Sequence, residues 1–460
     1  MTKENAEESN PNRTPSRGNG PSGLDRVREA AKGDRKMRFT ALLHHVNIEL
    51  LRSSYNQLKR GAAAGVDEVT WQEYGRGLEE RLADLHGRVH RGAYQAKPSR
   101  RVYIAKEDGR QRPLGIAALE DKIVQRAVVQ VLNQIWEEDF EGFSYGFRPG
   151  RSQHDALDAL YVGITRRKVN FVVDLDIRSF FDKVDHGHLE RFVRHRIGDE
   201  RVVRLILKWM RAGVVEDGKW FETKEGTPQG AVISPLLANL YLHHVLDLWV
   251  VAWRKKVARG EMIVVRYADD AVLGFQCRED AEKFLKELQE RVRKFGLELH
   301  PEKTRLIEFG RYAAERRAKR GEGKPETFNF LGFTHICGKS HTTGYYQMYR
   351  KTIGKRMTAK LKEIRQKLRE RMNEKTKGTR EWLQAVVRGY YQYHAVPYNE
   401  ERMKAFRHEV LHMWWRQLRR RSQRSRWTWG RFQEFLGSLI PEVEILHPYP
   451  EVRFASKHPR

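Results

Sequence analysis

The chain has 460 residues, more than one ordinary hydrophobic core accommodates, so two or three domains are expected. Lysine and arginine number 87 against 60 aspartates and glutamates; the net charge of +27 makes nucleic acid the first partner to consider and an anionic membrane the second. The most apolar run, LYLHHVLDLWVVAW at 240–253, is interrupted by His243, His244 and Asp247, so no membrane partner is expected. Two cysteines, Cys277 and Cys337, exclude a disulfide framework and fit a reducing cytoplasm.

Residues 1–35 read as a disordered leader: the first 23 have no apolar signal segment and carry three glutamates, which a transit peptide would avoid. From about residue 36, FTALLHHVNIELLRSSYNQLKRG repeats apolar residues at helical spacing up to Gly61. A Gly-rich loop follows, then RRVYIAKEDGRQRPLGI, whose Asp-Gly between alternating strands predicts a basic hairpin. The stretch 119–140 predicts a helix with Ile123, Ala127, Val131 and Ile135 on one face. NFVVDLDIRSFFDKV reads as a buried strand ending in carboxylates. After it come the helix-rich GTPQGAVISPLLANLYLHHVL, the hairpin VVRYADDAVLGF, a helix near 279–295 and the short run NFLGF at 329–333. Past about 345 the composition turns basic and helical, with Met357, Leu361, Ile364, Leu368 and Met372 at helical spacing and further helices near 380–396 and 400–421.

The hairpin sets Asp269 beside Asp270, and the buried strand supplies Asp174 and Asp176. Adjacent aspartates can simply close a solvated turn. Alternatively, carboxylates crowded at a sheet edge stay ionised when hard cations compensate them, and two Mg²⁺ ions about 4 Å apart clamp the attacking and leaving oxygens of a phosphoryl transfer.

RYADDAVLGF resembles the Tyr-x-Asp-Asp box of reverse transcriptases. RVYIAKEDGRQRPLGI, SYGFRPGRS, VVDLDIRSFFD, GTPQGAVISPLLANLYLH, RYADDAVLGF, GLELHPEKT and NFLGF together resemble, in order, the blocks of group II intron reverse transcriptases. The resemblance implies an α+β fold: a right-hand polymerase with fingers, a palm built on an antiparallel sheet, and an α-helical thumb or maturase domain. The corresponding segments are 36–160 for an N-terminal extension and fingers, 161–340 for the palm and 341–460 for the thumb. It implies Asp176, Asp269 and Asp270 as ligands of two Mg²⁺, with Asp174 structural. It implies Phe181, or alternatively Phe180, as the ring that rejects a ribose 2′-hydroxyl. Lys106 and Arg112 would grip the dNTP phosphates, Gln229 would line the nucleotide pocket, and Lys303 would be a proton donor to pyrophosphate or a plain exposed lysine.

SYGFRPGRS mixes Arg148 and Arg151 with Tyr145 and Phe147, a composition suited to phosphates and stacking, and by resemblance it contacts template. WWRQLRRRSQRSRWTWGR at 414–431 interleaves Trp414, Trp415, Trp427 and Trp429 with Arg419, Arg420, Arg421 and Arg424; these suit an RNA or hybrid duplex, although tryptophans in a helix also pack inward. By resemblance the partners are group II intron RNA, an RNA template with a DNA primer, dNTPs and target DNA. The setting is a bacterial-type cytoplasm with a nucleoid-associated ribonucleoprotein. No paired-Cys frame or His-Asn-His signature of an appended endonuclease is present, so priming from an existing DNA end is expected. The implied function is RNA-directed DNA polymerisation with assistance to intron splicing and mobility. The alternatives are a splicing maturase with an idle polymerase site, or a reverse transcriptase serving another retroelement or a defence system.

Overall fold

The computed structural model describes residues 23–105, 111–223, 225–227, 230–340, 342–421 and 427–458. Of the expected leader, 1–22 lies outside them, but the remainder is corrected: Gly23–Gly33 is a helix packed on the Leu119–Asp139 helix, with Val27 and Ala31 buried and Arg28 Nε donating to Glu138 Oε1 at 2.7 Å. The helix expected from residue 36 begins later, at Ile48–Asn56. The Asn47 side chain accepts the Leu50 N–H and caps it there, leaving Leu43–His45 as a single 3₁₀ turn. The Leu119–Asp139 helix buries Ile123, Ala127, Val131 and Ile135, the face its spacing predicts.

Strands β1 (Ser99–Ala105) and β2 (Gln111–Ile116) pair antiparallel, with Ala105 opposite Gln111. After the Gln153–Arg166 helix come β3 (Phe171–Leu175), β4 (Val214–Glu216), β5 (Lys219–Phe221), β6 (Met262–Tyr267), β7 (Asp270–Phe275), β8 (Arg305–Glu308), β9 (Phe328–Phe330), β10 (Phe333–Lys339) and β11 (Tyr346–Thr352). Among the described residues these form three sheets, ordered β2-β1-β4-β5, β6-β7-β3-β8 and β11-β10-β9. The second is antiparallel throughout and carries the acidic segments.

Side-chain alternation explains why its strands read as apolar runs. Val173, Leu175, Leu273 and Phe275 enter one core with Phe284 and Leu288 of the Arg278–Arg293 helix. Val172, Val265, Val272 and Ile307 enter a second with Ala156, Leu157, Leu160 and Ile164 of the Gln153–Arg166 helix. Both faces are covered, so both registers are apolar.

The Ser234–Lys256 helix is long and apolar enough to cross a membrane, yet most of its apolar stretch is buried inside the protein, so it is a core helix. A turn of π-helix, His243–Asp247, interrupts it. Helices Gly354–Glu370, Thr376–His394, Glu400–Arg420 and Trp429–Phe435 share a separate core around Leu368, Leu383, Phe406 and Trp414.

The expected boundaries shift against these elements. A border at 160 cuts the Gln153–Arg166 helix, which belongs to the antiparallel sheet, and one at 341 splits the β10–β11 pair, so the helical module starts at about 354. Nor does the last helix, Pro450–Lys457, stay with that module. It packs on the Gln153–Arg166 helix through Arg453–Asp158 at 2.5 Å and Lys457–Asp155 at 2.8 Å.

Candidate active site

Three chain segments meet at one end of the antiparallel sheet. Asp176 follows β3 directly, and its backbone is held by the GLELHPEKT segment: His300 N donates to Asp176 O at 2.8 Å, Thr304 Oγ1 to the same oxygen at 3.2 Å, and Arg178 N to Glu298 O at 2.9 Å. Tyr267 opposes Asp270 across β6 and β7, which leaves Ala268 and Asp269 as a two-residue turn. Ala268 takes φ +55°, a left-handed conformation that costs free energy for any residue with a Cβ and is retained only where the surroundings enforce it. Since β3 pairs Leu175 with Ala271 of β7, the next positions outward are Asp176 and Asp270. Two clefts open there. One of about 550 Å³ is lined by Asp176, Asp269, Phe181, Lys303 and Pro113, the other of about 620 Å³ by Asp174, Asp176, Asp270, Arg305 and Arg356.

The carboxylates share one field. Loss of hydration at the strand end, then Asp269, Asp176 and Asp174, push the Asp270 carboxyl up to about 7 against the opposing Arg356, even though the residue keeps an open face to solvent. Asp174 rises to about 6, chiefly through burial, with Arg305 opposing from 3.6 Å. Lys303 Nζ lies 3.2 Å from Asp176 Oδ2. Among the described residues no three Asp, Glu, His or Cys side chains stand together in an arrangement that could by itself hold a metal ion. Asp174, Asp176, Asp269 and Asp270 border the two clefts as hard oxygen donors, the chemistry that suits a divalent ion that keeps waters and binds phosphate oxygens.

A family model described as reverse transcriptase (RNA-dependent DNA polymerase) matches residues 104–335, half of the chain. The chain belongs to the reverse transcriptase family. Protein YkfC of Escherichia coli is 39% identical over 239 residues, covering 45% of this chain and 62% of that protein. Group II intron-encoded protein LtrA of Lactococcus lactis subsp. cremoris is 40% identical over 185 residues, 39% of this chain and 30% of that protein. An uncharacterized 91 kDa protein in the cob intron of Schizosaccharomyces pombe is 38% identical over 148 residues, 32% of this chain and 18% of that protein. The chain thus spans 62% of the first and under a third of the others.

Within this reverse transcriptase fold, Phe181 is half-buried and lines the cleft with Asp176, whereas Phe180 is 1% exposed, part of the core. Arg112 sits opposite Ile104 in the β1–β2 hairpin, next to Pro113 of the cleft wall. Lys106, Gln229 and Arg424 lie outside the described residues.

Arg148, expected on nucleic acid, is turned inward. Its side chain is 2% exposed, paired with Glu137 at 3.0 Å, and donates to the carbonyls of Glu141 and Ser144. A guanidinium with its donors spent on internal acceptors leaves none for a phosphate. Arg151 is half-buried, donating to Gly142 O and Ser144 O and lying over the Tyr145 ring. Arg421 donates to Glu374 O and Arg371 O and so joins two helices, whereas Arg419 and Arg420 are exposed. Of the tryptophans, Trp414 is fully buried and Trp415, Trp427 and Trp429 pack against the same core, so the interleaved pattern is largely an internal one.

The sequence reading passed over the residues directly behind the acidic turn. Arg266 and Asp247 are 1% and 0% exposed and make a bidentate pair, Nε to Oδ1 at 2.7 Å and Nη2 to Oδ2 at 2.5 Å. Nη1 donates to Asn239 Oδ1 at 3.1 Å and to Ala268 O at 2.9 Å, and Nη2 to Ser144 Oγ at 2.7 Å. Asn239 Nδ2 donates to Gly146 O at 2.7 Å, and a Cβ at Gly146 would stand 2.3 Å from Ala268 N, so only glycine fits there. The available signal was a charged residue inside each of two apolar runs, MIVVRY and LYLHHVLDLW.

Proposed function

We propose that this chain is an RNA-directed DNA polymerase that adds dNTPs to a DNA primer 3′-hydroxyl and also binds group II intron RNA to assist splicing and mobility. The supporting observation is the set of aspartates at one sheet end, whose carboxylates raise one another's cost of ionisation, opening onto a cleft bordered by an aromatic ring and a lysine. Asp176, Asp269 and Asp270 are the side chains that would hold two Mg²⁺ ions, whose contribution when bound is Lewis acidity at the attacking and leaving oxygens. Phe181 borders the Asp176 cleft, and its ring, set beneath a bound sugar, would reject a 2′-hydroxyl and so select dNTPs. Lys303, whose ammonium lies 3.2 Å from the Asp176 carboxylate, would donate a proton to a departing phosphate oxygen.

The intron role rests on the relatives whose names carry introns and on the exposed Arg419 and Arg420 of a helical module in a chain of charge +27. Neutralising phosphates from such a surface needs no base readout and weakens with salt. Primer extension on an RNA template tests the enzyme: the parent extends, and Asp269→Asn does not. Equal extension by both defeats the site assignment. A splicing assay of intron RNA at low Mg²⁺ tests the second role, with faster splicing on adding protein the expected result. Splicing assistance by a parent chain that extends no primer would favour a maturase with an idle site.

A further inference from the structure

We infer that Arg266 is the positioning residue of the acidic turn: its guanidinium ties the Ala268–Asp269 turn to Asp247, Asn239 and Ser144, and so holds the Asp269 and Asp270 carboxylates where they can share a metal. The inference rests on the polymerase reading of the same site. A two-residue turn that carries Asp269, with Asp270 next to it and Asp174 and Asp176 nearby, is pushed outward by their repulsion, and Ala268 adds the cost of a left-handed backbone. Something must hold the turn in.

Arg266 is built for that task. A guanidinium has five N–H donors in a rigid fork, and here each has an acceptor: two go to Asp247, one to Asn239, one to Ser144 and one to the Ala268 carbonyl inside the turn. With every donor assigned, the fork has one orientation and cannot swing without leaving a buried polar atom unpaired. Its anchors come from elsewhere in the chain: Asp247 from the π turn of the core helix, Asn239 from the same helix about two turns earlier, and Ser144 from the SYGF loop. That loop is clamped in turn, since Tyr145 N donates to Arg266 O and Arg266 N to Phe143 O, at 2.8 and 2.9 Å. Arg266 therefore puts the SYGF loop, the core helix and the acidic turn in one rigid frame without itself touching substrate or metal.

A lysine offers three donors and no fork, so Arg266→Lys keeps the buried charge but cannot hold Asp247, Asn239, Ser144 and Ala268 together. A displacement of about 1 Å at reacting groups is enough for about a 100-fold loss of rate. In Arg266→Lys, kcat per folded molecule should fall about 100-fold while KM for dNTP and Kd for primer–template stay within about threefold. Mn²⁺ binding without nucleic acid, followed by electron paramagnetic resonance, should weaken about tenfold.

Should the lysine variant not fold, Asn239→Ala removes one acceptor and leaves the Arg266–Asp247 pair, with smaller losses in the same two readings. Unchanged kcat per folded molecule and unchanged Mn²⁺ affinity in the variant that folds would reduce Arg266 to a stabilising ion pair and overturn the inference. A parent chain that binds Mn²⁺ but extends no primer counts against the polymerase reading alone, and the Mn²⁺ comparison then decides on Arg266.

Discussion

Carboxylates are used in two opposite ways in this molecule. Asp247 and Asp158 are fully buried, with both oxygens given to arginines: Asp247 to Arg266, Asp158 to Arg350 at 2.8 Å and Arg453 at 2.5 Å. At the sheet end, Asp174, Asp176, Asp269 and Asp270 repel one another, with Lys303 3.2 Å from Asp176, Arg305 3.6 Å from Asp174 and Arg356 acting on Asp270. A buried carboxylate whose oxygens are all assigned holds elements together, and removing it strands a charge. A cluster whose carboxylates repel one another at the edge of a cleft is suited to a ligand that brings positive charge. The difference separates structural from chemical acids without reference to motifs.

The largest effect should come from the cluster. Asp269→Asn removes about 4 kcal/mol of transition-state stabilisation, roughly a 1000-fold loss of primer extension, with circular dichroism and RNA retention unchanged. Loss of fold in that variant would erase the contrast with Asp158. On the other side, Asp158→Ala should cost about 3–5 kcal/mol in urea unfolding, because Arg350 is left unpaired in the core. It should also expose the Pro450–Lys457 helix to limited proteolysis. A change below about 1 kcal/mol would show that buried pair to be dispensable.

The acidic cluster also carries a pH signature. Asp270 has a folded pKa of about 7, raised above its unfolded value, so the folded chain binds the proton more tightly and stability falls as pH rises from about 4 to about 7. Asp270→Asn should therefore raise the metal-free melting temperature by a few degrees at pH 8 and hardly at all at pH 4, measured by differential scanning fluorimetry. A lower melting temperature at pH 8 would place Asp270 with the structural acids. The smallest effect concerns the exposed arginines: Arg419→Ala or Arg420→Ala should reduce the slope of log K against log salt for RNA by about one, with no change in melting temperature. Arg148→Ala should do the reverse, destabilising the fold by removing the partner of Glu137.

Local pattern carried much of the architecture. The 3.6-residue spacing from 119 to 140 and the run of basic helices after 354 appear where expected, as does the hairpin that puts Ala268 and Asp269 at its tip. The meeting of Asp176 with that tip was legible only as a consequence of two strands each ending in acid; the pairing of β3 with β7 across some 95 residues realises it. Charged residues were read less well. Arg148 and Arg421 resemble Arg419 and Arg420 in any composition count, yet the first two spend their donors on internal carbonyls and the last two face solvent.

What the sequence by itself determined is which chemistry is available: a polyanion-binding charge, strands ending in aspartates, and helices with one apolar face, all encoded in residue type and short-range period. Tertiary structure alone decided which charges are paired. Asp247 interrupts an apolar run and Arg266 ends another, and neither has a partner until a π turn in the core helix and the strand beside it bring them within 2.5 Å. Likewise Asp158 and Arg453 meet only when the Pro450–Lys457 helix packs back on the Gln153–Arg166 helix. The physical reason is burial: desolvation makes an unpaired charge intolerable, and whether a residue is buried is set by the packing of distant elements, not by its neighbours in sequence.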